Sequence, residues 1–315
     1  MNKPEANISL LFITFFASIQ FVFLIWVSDS VSHFAFLSVT NLVGFFMALA
    51  FFFGELFRLD TKQVWQSVTL SAELMVSAEL MVFNIFLLLG VRGLGSTLTN
   101  AMLSTNFVFI AVIMFLLYKQ VPDKGTLYGM IAVLLGLLIL TGADIAELWS
   151  VSALYLMLSN AAFAFYIVSV GEYSGSSNPS IIAMGQMFFC FLFSLVFWAG
   201  DAVFFGGSFT LPTNPAFWGS VIYISFFIRG LYGIVQVYAQ RYTTPLNTSL
   251  IFSTEIIMNM LTSPLIARFI GTEPEIITWP KILGGVLIVL GILMTEPQFL
   301  AAMRRLFVHE GSANQ

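Results

Sequence analysis

The chain has 315 residues, 59% of them hydrophobic and 9% charged, with a net charge of −4 and a mean hydropathy of +0.95. Soluble domains carry about 25% charged residues, so this composition excludes a water-soluble fold and makes lipid the main solvent. The charge balance implies no polyionic partner, no basic stripe points to nucleic acid, and the lone Cys190 cannot close an intrachain disulfide.

A hydrocarbon core of about 30 Å needs about 20 apolar residues per helix. Such spans are predicted at Ile8–Val27, His33–Phe53, Gln66–Gly90, Ser96–Tyr118, Gly125–Gly142, Val151–Gly171, Ile181–Phe205, Phe217–Tyr238, Leu246–Ile270 and Lys281–Met294. Turn residues punctuate them at Pro122-Asp123-Lys124-Gly125, from Ser174 to Pro179, and from Gly206 to Pro215. The first apolar run lacks a small-residue cleavage site and reads as a retained span. With both termini cytoplasmic, Lys3, Arg58, Lys62, Lys119, Lys124, Arg241, Arg304 and Arg305 fall inside, against Arg92, Arg268 and Lys281 outside. That bias sets the expected orientation.

Gly90–Phe107 aligns without gaps on Ala239–Ile256. Arg92 meets Arg241, Thr99 meets Thr248, Ser104-Thr105 meets Ser253-Thr254, and Asn106 meets Glu255. Further on, Gly129 meets Gly284 and Gly136 meets Gly291. Five spans per half is an odd number, so the second half enters the membrane upside down. The expected division is 1–147 and 148–300, with 301–315 a cytoplasmic tail. Inverted repeats recur in secondary transporters, which bind substrate near the midplane between the halves. The expected fold class is therefore an all-α integral membrane protein of ten transmembrane helices in two inverted five-helix repeats.

The stretch from Val121-Pro122-Asp123-Lys124 through Gly129 and Gly136-Leu137-Leu138-Ile139-Leu140 resembles the end of an EamA-type repeat. So does Gly271-Thr272-Glu273-Pro274 through Gly284 and Gly291-Ile292-Leu293. The family is the drug/metabolite transporter superfamily, and the resemblance covers nearly the whole chain. It implies ten helices in two inverted halves and outward movement of a metabolite or drug across a bacterial inner membrane. Members usually carry Glu-Pro or a bare Pro in the middle of helices 4 and 9. Here Thr105-Asn106 and Thr254-Glu255-Ile256 stand there, so Glu255 keeps the acid while both prolines are missing. Lys119-Gln120 replaces a glutamate common after helix 4.

An ionisable group at mid-bilayer costs about 2.5–3.5 kcal/mol on insertion scales. Glu73, Glu79, Arg229 and Glu255 bear that cost. At 1.5 Å per residue, Glu255 lies roughly 14 Å into its span and Asn106 roughly 15 Å into its own, both near the midplane. Thr248, Phe252, Glu255, Asn259 and Thr262 form one stripe; Ser225, Arg229, Tyr232 and Gln236 form another. Glu73, Ser77 and Asn84 share a third face, with Glu79 about 240° around the helix from Glu73. The two glutamates belong to a tandem duplication, Ser71–Val76 followed by Ser77–Val82. Mid-span amides Gln20, Asn41, Asn160 and Gln186 bond either a neighbouring helix or a solute.

The expected site is a midplane cavity lined by the third, fourth, eighth and ninth spans. In it Glu255 and Glu73 face an amine or exchange a proton, and Arg229 holds a carboxylate. The alternative is structural, with Arg229 neutralising a glutamate and locking two helices. His33 and His309 sit at a span end and in the tail, so proton coupling would fall to a glutamate. Three acids against one base favour a cationic or zwitterionic solute, such as an amino acid, amine or drug. The leading expectation is a proton-coupled exporter working by alternating access, a monomer or weak dimer without a cofactor. An importer of amino acids and a non-transporting scaffold are the alternatives. No Walker loop or His-Glu-x-x-His motif supports ATP hydrolysis or metalloprotease chemistry.

Overall fold

A computed structural model describes residues 1–28, 32–56, 67–140, 149–271 and 276–295. The expected boundary at 147/148, Arg58, Lys62, Glu273-Pro274, Arg304, Arg305, His309 and the tail 301–315 lie outside the described residues.

Each predicted stretch is largely helical over its described residues. The helices are α1 (Lys3–Ser28), α2 (His33–Phe51), α3 (Ser67–Leu103), α4 (Asn106–Tyr118), α5 (Lys124–Leu140), α6 (Val151–Ser176), α7 (Pro179–Phe204), α8 (Pro215–Gln240), α9 (Pro245–Ile270) and α10 (Trp279–Thr295). No strand occurs among the described residues. Eight stretches are long and apolar enough to cross a membrane, while α5 and α10 are shorter apolar helices of 17 residues. The chain is an all-α integral membrane protein, as its composition demands.

Local chemistry explains where these helices start and stop. Asn178-Pro179, Asn214-Pro215 and Thr244-Pro245 each pair a side-chain cap with a proline that opens the helix. The cap satisfies an orphan amide, and the proline has none to orphan. Ahead of α5, the Asp123 carboxylate accepts from the Thr126 amide and hydroxyl at 3.0 and 2.9 Å. Those bonds, the amide's foremost, hold its carboxyl below the usual carboxylate range. α4 and α9 end on left-handed residues, Lys119 at φ 56° and Gly271 at φ 77°.

The third and fourth spans, Leu70–Val91 and Leu98–Tyr118, part around the expected break between Gly90 and Ser96, although the backbone is helical from Ser67 to Leu103. That helical stretch cannot be straight. Phe83 and Met102 would then lie about 28 Å apart at 1.5 Å per residue. Yet their carbonyls accept hydrogen bonds from the adjacent side chains Ser159 and Asn160. The helix therefore folds back on itself between them, and α6 packs into the bend, with Leu156 close against Gly90.

At one end of the bundle, Asn247 donates to Asn7 at 3.0 Å, and the Tyr118 hydroxyl donates to Glu172 at 2.7 Å. A Cβ on Gly171, late in α6, would lie 3.1 Å from Pro245 at the start of α9, so the start of α1, the ends of α4 and α6, and the start of α9 share one face. Elsewhere α5 and α10 pack backbone to backbone. A Cβ on Gly284 would sit 2.5 Å from the Gly136 carbonyl oxygen, and one on Gly291 would sit 2.7 Å from that of Gly129. Such close approach through small residues is how helices associate without a hydrophobic driving force.

This packing yields a paired prediction. Gly284→Leu should lower stability by about 1–3 kcal/mol through overpacking, seen as a lower Tm in detergent. Gly200→Ala on α7, where an added Cβ meets nothing within 4 Å, should leave Tm unchanged or raise it. Equal Tm values for the two variants would remove the glycine contact as a determinant of the fold.

Candidate functional site

Two helices are interrupted in mid-span, at Ser104-Thr105 between α3 and α4 and at Ser253-Thr254 within α9. Proline is absent from both breaks, and threonine takes its part. The Thr105 hydroxyl donates to the Met102 carbonyl and the Thr254 hydroxyl to the Ile251 carbonyl, each at 2.7 Å and three residues back. A hydroxyl that bonds the preceding turn competes with the regular ladder and bends the helix. The amides of Thr105, Val108, Thr254 and Ile257 accordingly shift to carbonyls three residues back.

Hydrocarbon offers no water to the groups such breaks release, so neighbouring side chains supply partners. Asn160 of α6 donates to the Met102 carbonyl and the Thr105 hydroxyl. Ser253 donates to the Ser104 carbonyl at 3.0 Å, joining the two breaks directly. Asn106 donates to both oxygens of Asn160 at 2.9 Å and accepts from Ser249 at 3.2 Å.

The breaks border a cavity of about 60 Å³. Gln20, Asn84, Asn106, Arg229, Tyr232, Gln236 and Glu255 all line it, as the sequence suggested. Phe21 of α1, Phe163 of α6 and Met187 of α7, which the sequence did not single out, also reach the cavity, as does Tyr166 of α6. Phe163 stacks on Phe83 at 4.5 Å and on Tyr166 at 5.7 Å, and Tyr232 packs on Phe252 at 5.3 Å. The result is an aromatic wall opposite a few polar groups. Aromatic abundance hid these residues, because 35 phenylalanines offer no way to pick the few that face inward.

The remaining expected site residues lie elsewhere. Glu73 is buried at 5% exposure against Gly185 of α7, with Oε1 unpartnered. Glu79 accepts from Ser169 of α6 at 2.9 Å. Neither glutamate lines the cavity. Asn160 is spent on the break. Asn259 donates to the Ser18 carbonyl at 2.6 Å, tying α9 to α1.

Arg229 sits in a π-helical segment, Ile224–Tyr232, inside α8. Its Nη2 donates to Asn84 Oδ1 at 2.8 Å, and its Nε is buried without a protein partner. Among the described residues no carboxylate lies within salt-bridge distance of it, so a glutamate does not neutralise it. Gly44 of α2 makes room, since a Cβ there would come within 2.5 Å of the Arg229 Cβ. The π-helix also explains Ser225, which shares the expected stripe but is buried off the cavity; wider turns move residues off a 3.6-residue repeat. Glu255, half-buried, accepts one long bond of 3.4 Å from Gln20 of α1. The cavity thus holds a basic and an acidic side chain, each facing an amide rather than the other.

Asn84 also donates to the Leu80 carbonyl at 2.6 Å, which fixes the oxygen it offers to Arg229. Asn84→Leu should destabilise the protein by about 1.5–3 kcal/mol, the worth of a hydrogen bond to a charged group. Asn84→Asp should retain stability, because its carboxylate still accepts from the guanidinium. Thermal unfolding of both variants decides it, and an unchanged Tm for Asn84→Leu would show that Asn84 does not hold Arg229.

Comparison with known proteins agrees with this architecture. Residues 150–296 match the EamA-like transporter family. An uncharacterized transporter of Archaeoglobus fulgidus is 27% identical over 268 residues, covering 85% of this chain and 78% of that protein. A crystal structure of another protein superposes with a TM-score of 0.68 over 95% of this chain and 96% of the other. At 12% identity that likeness speaks to the fold alone. A membrane-embedded helical bundle with an internal polar cavity, this family match and this relative together support a membrane transporter whose residues 150–296 form an EamA-like transporter domain.

Proposed function

We propose that the protein carries a small cationic or zwitterionic solute (an amino acid, amine or drug) across the bilayer by alternating access, as a proton-coupled exporter. The observation that carries this reading is that Arg229 and Glu255 line one cavity without pairing to each other. A solute with a carboxylate and an amine offers each its counter-charge, and the aromatic wall suits an apolar body between them. Aromatic faces also attract ammonium groups. His33 does not line the cavity, and Glu255 is assigned as the group that exchanges a proton for the solute.

Alternating access rests here on two inverted halves, residues 1–147 and 148–300. Contacts across the bundle support them. The sequence repeat makes Gly129 the counterpart of Gly284, and Gly136 the counterpart of Gly291. A twofold axis that exchanges the halves turns the Gly136–Gly284 contact into the Gly291–Gly129 contact, and both occur. Ser253 and Ser104 are also counterparts, and the bond between them supports an axis that passes near the two breaks.

The halves differ where chemistry is needed. Asn106 is held by Asn160, while its counterpart Glu255 meets only Gln20, through one long bond. The acid is the half of the pair free to change partners. Lys3, Lys119, Lys124 and Arg241 gather at the end where α1 and α9 begin, which supports cytoplasmic termini in a bacterial inner membrane. The working unit is a monomer or weak dimer.

Flux in proteoliposomes tests this reading. With a pH gradient imposed, Glu255→Gln should abolish proton-driven uptake of amine and amino-acid probes while Tm stays near wild type. Retained flux would reject Glu255 as the coupling acid. Arg229→Gln should weaken amino-acid transport by at least about tenfold, the equivalent of 1.4 kcal/mol, and spare simple amines. Equal losses for both probe classes would remove Arg229 as the carboxylate site.

A further inference from the structure

A second hollow lies outside the central cavity and serves none of the chemistry above. It has a volume of about 400 Å³ and lies between α4, α5 and α6, with the helix break at its floor. Ala101, Met102 and Thr105 form that floor, and Leu134, Leu138 and Met157 form its rim. The rim is open, with exposures of 37%, 49% and 49%, whereas Ala101 is recessed at 2%. Every wall belongs to a membrane-spanning helix, so the medium at the rim is hydrocarbon.

The sequence repeat places a larger residue at the floor position of the other half. The counterpart of Ala101 is Leu250, which is 4% exposed. In the first half the small Ala101 side chain leaves the floor of the hollow deep.

We propose that this groove binds one acyl chain of a bilayer phospholipid, which lies against Met102 and Thr105 where the fourth span breaks. The groove's dimensions select a chain over a helix. Its α5 wall, Leu134 to Leu138, is about 6 Å tall, and its α3–α4 wall, Ala101 to Phe109, is about 12 Å. A docking helix 10–12 Å wide needs several turns of matching ridges, which so short a wall does not offer. A flexible hydrocarbon chain needs none. The polar groups at the floor are already spent, because Asn160 donates both to the Met102 carbonyl and to Thr105. The site therefore selects for a chain and not for a headgroup. The acyl chain covers the hydrogen bonds of the break on their lipid side and links occupancy to the one hinge that Asn160 clamps.

Native mass spectrometry of the full chain in detergent tests this, with palmitoyl-oleoyl phosphatidylglycerol and phosphatidylethanolamine as probes. Wild type should retain one equivalent of either lipid. Ala101→Leu, which copies the second half, and Leu138→Trp, at an exposed rim position, should each lower retention by about tenfold. Leu135→Trp, 50% exposed but off the groove, should retain lipid as wild type does. Undiminished retention in Leu138→Trp would overturn the proposal even if Ala101→Leu fails to fold. A wild-type dimer that Leu138→Trp dissolves would assign the groove to a second copy and overturn it too. A lipid held according to its headgroup and indifferent to both groove variants would place the binding elsewhere.

Discussion

Inside a bilayer, a carbonyl released from a helix must find another donor, because no water is there to serve it. That constraint governs the centre of this molecule. The fourth and ninth spans are each interrupted at mid-depth, and the released groups are answered one by one. Thr105 and Thr254 turn their hydroxyls on the preceding turn. Asn160 covers Met102, and Ser253 covers Ser104. Remove these side chains and the breaks become untenable, and with them the cavity they border. The polar residues around the centre therefore divide into two groups. Asn106, Asn160, Ser249 and Ser253 keep the backbone satisfied, whereas Arg229, Glu255, Gln20 and Gln236 face open space.

The second group gives the cavity its electrostatic character. A guanidinium and a carboxylate in one low-dielectric chamber would gain by pairing, yet each is met by an amide. Asn84 holds Arg229 from α3, and Gln20 reaches Glu255 from α1. An amide solvates a charge without cancelling it, which leaves both signs available to a ligand. The positions of those amides depend on packing further out. Gly44 lets α2 come against the Cβ of Arg229, and Asn259 and Ser18 bind α9 to α1 beside Gln20. A zwitterion recognised here would take over the partners that the resting protein lends to its own side chains.

The helical fold was legible because hydropathy over twenty residues is a strong signal and each turn carried its own punctuation. The caps Asn178, Asn214 and Thr244, each followed by proline, are readable by eye. So was the turn between the third and fourth spans near Gly90, whereas the helical backbone that runs on to Leu103 was not. Much of the cavity lining was legible too, since polar stripes in apolar helices have few places to point. Glu73 was misplaced because face geometry fixes an angle around α3, not what stands opposite, and α7 stood there. Asn160 and Asn259 read as solute ligands because a sequence does not show which backbone carbonyls have lost their donors. The prolines missing from the two breaks seemed a departure from the family. Threonine hydroxyls do the same mechanical task with side-chain hydrogen bonds.

The π-helix at Ile224–Tyr232 decides how the middle of α8 presents itself. Each of its hydrogen-bonded rings encloses one more residue than an α-turn does. The wider turns absorb a surplus residue, so the turns before and after them keep their facing. Removing that residue would let the ordinary ladder re-form with little change at either end of the span. The effect would fall inside the wide turns, where Arg229 would be re-aimed relative to Asn84 and to the helix packed against it at Gly44. In this chain the bearing of one guanidinium is stored in a surplus residue rather than in any particular side chain.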